Sequence, residues 1–172
     1  MAYTRQLEQY LDLNIGLLRR KIQDNCDTNE VFDLKRLVQF YVIDVLGELA
    51  FGQSFGVQAA DDKSLAPPVV EHNLLAATTG AWPAMTFTLK RWLPVIPYRP
   101  LQDLFRGRTR VVKMASECVN RRLEETQSAE KAGTQDALHR KDFLSELILA
   151  EDADTGARMT KADLETEAFG FM

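Results

Sequence analysis

Thiols are scarce in this chain of 172 residues: Cys26 and Cys118 are its two cysteines, and they lie far apart. That excludes a disulfide framework and any paired-cysteine zinc spacing. Histidine is equally sparse. His72 has no histidine, cysteine or carboxylate at helical spacing, and His139, three residues from Asp136 and from Asp142, has no histidine or cysteine there, which argues against a zinc site or a catalytic triad. No apolar run reaches membrane-spanning length. The best stretch, Phe40 to Phe51, is interrupted by Asp44 and Glu48. The first residues lack the apolar core of a signal peptide. A net charge of -4 argues against a general affinity for nucleic acid or acidic membranes. The Gly52 to Gly56 pair lacks the spacing and preceding strand of a phosphate loop. No internal repeat and no alternating strand pattern is present, so the expected class is all-α.

The chain does hold a succession of helical periodicities. Leu7, Leu11, Ile15, Leu18 and Ile22 predict a helix over residues 3–24, ended by the polar run Asp24 to Asn29. Asp33 should cap a second helix whose apolar positions are Leu34, Leu37, Val38, Tyr41, Val42, Val45, Leu46 and Leu49. So wide a stripe implies a well-buried helix, with Asp44 and Glu48 on its polar side beside Arg36 and Gln39. Phe51-Gly52-Gln53-Ser54-Phe55-Gly56 reads as a tight turn anchored by two rings. Residues 57–68 read as a loop, and 68–81 as a helix with proline in its first turn.

Residues 82–100 mix Trp82, Phe87, Trp92, Val95, Ile96 and Tyr98 with four prolines, which predicts short helical turns with an exposed apolar side. Tryptophans, a tyrosine and basic Lys90-Arg91 suit either an interfacial membrane contact or packing between helices. A long helix should follow over 100–125. Leu101, Phe105, Val112 and Val119 mark its inner face, and Arg106, Arg110, Lys113 and Arg121 a solvated one. Residues 128–141 read as a loop. Asp142 should cap a short helix with Phe143, Leu144, Leu147 and Ile148 inward, and Thr160 to Asp163 forms a capping box for a last helix. Cys118 reads as a core residue and Cys26 as an incidental loop residue. Apolar character rises towards Met172 without a capping residue, so the chain is expected to be cut inside a domain.

Four passages in order resemble the middle of a cytochrome P450, particularly the fungal microsomal kind. They are Val31 to Leu34, followed by Ile43 to Val45 and then Ala50 to Gly56, which is similar to helix E and its following turn; the aromatic, proline-broken 82–98 stretch, placed like the connection between helices F and G; Asp142 to Leu147, similar to the segment at helix H; and Met159 to Ala168, like the start of helix I. The resemblance covers residues 1–172 as one partial P450 domain, about helix D to the start of helix I, without the haem-binding half. It implies a haem-thiolate monooxygenase parent that inserts oxygen into an apolar substrate with electrons from a reductase. The family's helix C pair, oxygen-activating threonine and thiolate loop find no match here, so no catalytic or haem-binding residue is assigned. The chain alone is expected to be inactive, to bind no haem stably, and to expose apolar surface. By the same resemblance, Ala76, Thr79, Trp82, Phe169 and Phe171 would line the substrate pocket, and 82–98 would touch a membrane peripherally. Attachment to the endoplasmic reticulum would follow from the family alone, and localisation is not legible in the residues. The rival expectation, from another class, is a non-catalytic standalone α-helical interaction protein.

Overall fold

The computed structural model describes residues 2–29, 31–81, 84, 86–132, 142–153 and 155–172. Eight α-helices order these residues: α1 (Ala2–Thr28), α2 (Leu34–Phe51), α3 (Val57–Ala60), α4 (Val69–Gly80), α5 (Thr86–Trp92), α6 (Arg99–Ala132), α7 (Phe143–Leu149) and α8 (Lys161–Gly170). Short 3₁₀ turns occupy Lys63–Leu65 and Leu93–Val95. A single antiparallel bridge between Glu151 and Arg158 is the only β-pairing among the described residues, so the all-α class holds.

The chain divides into two compact units. The first takes in residues 1–66 and 118–171, and the second residues 67–117 with Met172. In the first unit, α2 is the central element, packed by α1, α3 and α7. Asp33 caps it as expected, its carboxylate accepting the Arg36 N–H at 3.2 Å. It ends in a left-handed Gly52, with the Gly52 N–H donating to Glu48 and the Gln53 N–H to Gly47, an arrangement that closes the last turn. Gly47 is required for this closure. A Cβ there would sit 2.6 Å from the Gln53 carbonyl oxygen and 2.9 Å from the Phe55 ring. Phe51 is fully buried and meets Phe55 edge-on at 6.1 Å, so both rings pin the turn as the sequence implied.

Several expectations are corrected. Helix α1 continues to Thr28, because the polar run satisfies the helix end itself: Asn25 donates to the Lys21 carbonyl, Thr28 to that of Asp24, and Gln23 bonds Asp27. Cys26 therefore lies exposed on a helix, not in a loop. The buried face of α2 is rotated from the predicted stripe. Leu37, Phe40, Asp44, Gly47, Ala50 and Phe51 are inside, whereas Leu34, Val38, Val42 and Leu46 are exposed. The hydrophobic count misled because Gly47 and Asp44 share the contact side, where close approach and polar capping matter more than apolar area. Residues 57–60 form a helical turn, α3, where a loop was expected.

Helix α6 runs on to Ala132, beyond the predicted end. In its second-unit part Val112 is exposed and Val111 buried, and in its first-unit part Cys118 and Val119 are buried, the cysteine as expected. Arg121 and Arg122 do not belong to a solvated face. Arg121 donates to the Phe51 carbonyl at 2.8 Å and to the Gln53 side chain, and Arg122 is buried. Phe143 is exposed rather than inward, while Leu144 and Ile148 are buried. The remainder of the predicted 128–141 loop, with His139, lies outside the described residues. The Thr160–Asp163 capping box is present in both directions. The side-chain hydrogen bond from Thr160, then that from its backbone, holds the exposed Asp163 carboxyl below its ordinary range.

Candidate functional site

The second unit contains a cavity of about 360 Å³ lined by Leu75 and Thr79 of α4, Pro94 of the 3₁₀ turn, and Phe105, Arg108 and Thr109 of α6. The spacing explains the lining. Leu75 and Thr79 are one turn apart, and Phe105, Arg108 and Thr109 stand at steps of three and four, so each helix presents one stripe. Leu75 and Thr79 are buried. The Thr79 hydroxyl donates to the Leu75 carbonyl at 2.8 Å, and the Thr109 hydroxyl to the Phe105 carbonyl at 3.0 Å. Thr86, at the start of α5, ties itself to the end of α4 by donating to the Thr79 carbonyl at 2.8 Å.

Helices α4 and α6 approach closely because α6 carries Gly107 at the crossing. A Cβ there would lie 2.7 Å from the Glu71 Cβ and 3.7 Å from the Pro68 Cβ. Beside this crossing, burial first and the Arg108 charge second hold His72 below the ordinary histidine pKa. Unfolded, this imidazole takes up its proton at a higher pH than in the fold. Its contribution to stability is therefore present above about pH 6.5 and is lost as pH falls through the lowered folded value.

Of the five predicted pocket residues, Thr79 lines the cavity and Ala76 lies on the exposed side of α4. Trp82 lies outside the described residues. Phe169 and Phe171 belong to the first unit, where both are half-buried and Phe171 meets Phe143 at 6.0 Å between centroids. Sequence reading missed Leu75, Pro94, Phe105, Arg108 and Thr109. The available signal was the shared stripe 105–108–109, which an inspection for purely apolar positions passes over.

The 82–98 stretch carries an apolar surface in its described part. Phe87, Trp92, Val95 and Tyr98 are each more than 60% exposed, with Arg91 and Arg99 beside them. No helix among the described residues is long and apolar enough to cross a membrane. The two carboxylates of α2 prove to be backbone organisers and not members of a solvated polar side. Asp44 is buried and accepts the Val57 and Gln58 N–H groups, and Glu48 accepts that of Ser54.

The family model described as cytochrome P450 matches residues 2–172. The chain belongs to the cytochrome P450 family. It is 26% identical over 152 residues to "Cytochrome P450 monooxygenase fscF" of Fusarium equiseti, covering 79% of this chain and 26% of that protein. It is 24% identical over 154 residues to pisatin demethylase of Fusarium vanettenii, covering 86% and 28%. It is 26% identical over 172 residues to a cytochrome P450 monooxygenase of Gibberella zeae, covering 96% and 36%. The P450 chain thus spans about a quarter to a third of the length of the curated relatives it matches. No solved structure matches it.

The P450 family implies haem held by a cysteine thiolate. The residues present do not fit that group. Cys26 is exposed on α1, and Cys118 is buried in α6, where the Gln53 amide donates to its sulfur at 3.9 Å. Neither lines the cavity, and no cluster of three or more metal-ligating side chains occurs among the described residues.

Proposed function

We propose that this P450 chain is a substrate-facing part of a haem-thiolate monooxygenase, which inserts oxygen into an apolar molecule with electrons from a reductase. The observation that carries the reading is the cytochrome P450 match over residues 2–172. The monooxygenase names of two relatives agree with it. The mixed lining of the second-unit cavity supplies a place for the substrate: Leu75, Pro94 and Phe105 offer apolar contact and the threonines small polar relief. The axial thiolate belongs to other residues than Cys26 and Cys118, and the 172-residue chain alone is inactive. A standalone interaction protein is the less favoured reading, since the family match covers nearly every residue.

Filling the cavity tests this role. In a full-length enzyme carrying this sequence, Thr79→Phe should raise the Kd of the apolar substrate on the order of tenfold, since over-filling a packed site costs about 1–3 kcal/mol. Haem content should not change. Substrate titration indistinguishable from the unaltered enzyme would remove α4 from the binding site.

The exposed 87–98 surface is proposed as a peripheral membrane contact, in which aromatic rings enter the interface and Arg91 and Arg99 meet anionic headgroups. Replacing Phe87 and Trp92 together by serine should reduce co-sedimentation with vesicles containing anionic lipid at least tenfold, because each buried ring contributes about 1.5–3 kcal/mol. Equal co-sedimentation of the variant and the unaltered chain would exclude the contact.

A further inference from the structure

The donors that line the second-unit cavity already have partners, whereas two of its acceptors do not. Arg108, the cation of the lining, is engaged within the fold. The Thr109 hydroxyl proton goes to the Phe105 carbonyl. That of Thr79 is shared between the Leu75 carbonyl at 2.8 Å and the Ala76 carbonyl at 3.3 Å. A hydroxyl has one proton but two acceptor lone pairs. Among the described residues no donor is directed at the Oγ of either threonine, so both oxygens keep their accepting capacity. Donating to a carbonyl also polarises a hydroxyl and makes its oxygen the better acceptor.

The two threonines are not equivalent. Thr79 is 4% exposed, whereas Thr109 lies open to solvent. Water competes for the Thr109 oxygen and is largely kept from that of Thr79, where a hydrogen bond is electrostatically stronger. The Thr86 hydroxyl holds the Thr79 carbonyl at 2.8 Å and so fixes this end of α4. The lining also selects against charge. An anion would have to displace the interaction Arg108 already makes, and a cation would find no acidic side chain among the six residues. A neutral molecule with an apolar body meets Leu75, Pro94 and Phe105, and one O–H or N–H on that body supplies the donor for Thr79. The volume, about 360 Å³, lies near the lower end of the range of roughly 300–1,000 Å³ for small-molecule sites, so the ligand is small.

We propose that this cavity takes a small, neutral, apolar molecule bearing one hydrogen-bond donor, which the Thr79 hydroxyl oxygen receives. The proposal deepens the reading of the cavity as the substrate-facing site and rests on it. It assigns Thr79 as the residue that sets ligand class.

The test titrates the 172-residue chain with phenol and with toluene near neutral pH, followed by nitrogen-edited NMR. The two probes share a shape and differ by a hydroxyl in place of a methyl group, and phenol is uncharged there. Both should saturate, with shifts at Leu75 and Phe105. Thr79→Val removes the oxygen and nearly keeps the outline of the side chain. It should lower the phenol-to-toluene affinity ratio about fivefold, the net return of a hydrogen bond between neutral groups. Thr79→Ala, which also lacks the oxygen, should lower the ratio alike, and Thr79→Ser should preserve it. Thr78→Val, at an exposed neighbour whose hydroxyl bonds the Leu74 carbonyl in the same way, should leave it intact. A ratio unchanged in Thr79→Val and Thr79→Ala, or lowered as much by Thr78→Val, would overturn the donor assignment and leave an apolar cavity in place. Absence of saturable binding by both probes would overturn the cavity reading together with the proposal that rests on it.

Discussion

Asp142→Ala should lower the stability of the first unit by about 3 kcal/mol, the lower end for removing one partner of a buried ion pair. Asp142 is fully buried and makes three contacts at once. One oxygen accepts the Ser145 N–H and the Ser145 hydroxyl, both at 2.8 Å, and the other pairs with the Arg122 guanidinium. It therefore caps α7 and neutralises a buried cation of α6. Arg122 also donates to Ser145 at 2.9 Å and to Glu125 at 2.6 Å, which moderates the loss. Asp142→Asn separates the two roles, because asparagine caps a helix as well as aspartate but carries no charge. If the ion pair dominates, the asparagine variant should lose most of what the alanine variant loses. Urea midpoints read by far-UV circular dichroism decide it, and an asparagine variant as stable as the unaltered chain would reduce Asp142 to a helix cap.

Asp44→Ala should cost a similar amount, about 3 kcal/mol, for a different reason. One Asp44 oxygen accepts the Val57 N–H at 3.1 Å and the other the Gln58 N–H at 2.7 Å. Those two donors begin α3, whose own cap position is the left-handed Gly56, which has no side chain to serve them. The carboxylate of α2 thus caps a helix from thirteen residues away. Without it two buried N–H groups lose their acceptor, each at a cost of about 1–3 kcal/mol. Asp44→Asn keeps one oxygen and should lose roughly half as much. The same denaturation measurement applies, with hydrogen exchange at Val57 and Gln58 as the local readout. Unchanged protection of both amides in Asp44→Ala would show that α3 does not depend on this cap.

The sequence was most legible where structure is decided locally. The caps Asp33 and Asp142 and the Thr160–Asp163 box each act within three residues of themselves, and the glycines of the Phe51 to Gly56 turn do so through their own backbone. It was least legible where a residue acts across the fold. Asp44 looked like part of a solvated face because its partners are 13 and 14 residues on. Arg121 looked like surface charge, yet its acceptors lie on the α2 turn, and the neighbouring Arg122 reaches Ser145 of α7. Helix α2 was oriented by counting apolar residues, although Gly47 and Asp44 show which side makes contact. In the candidate site, the ordered motifs indicated the family, whereas the cavity lining depends on how α4 and α6 pack, which no local pattern states.

On the proposed function, this P450 chain faces the substrate and leaves the haem thiolate to other residues. The most direct measurement is addition of haem to the purified 172-residue chain, reduction under carbon monoxide, and the difference spectrum. No band of thiolate-ligated haem is expected, because Cys118 is buried against Gln53 and Cys26 is exposed on α1. A stoichiometric thiolate band, abolished by Cys118→Ser or by Cys26→Ser, would contradict it.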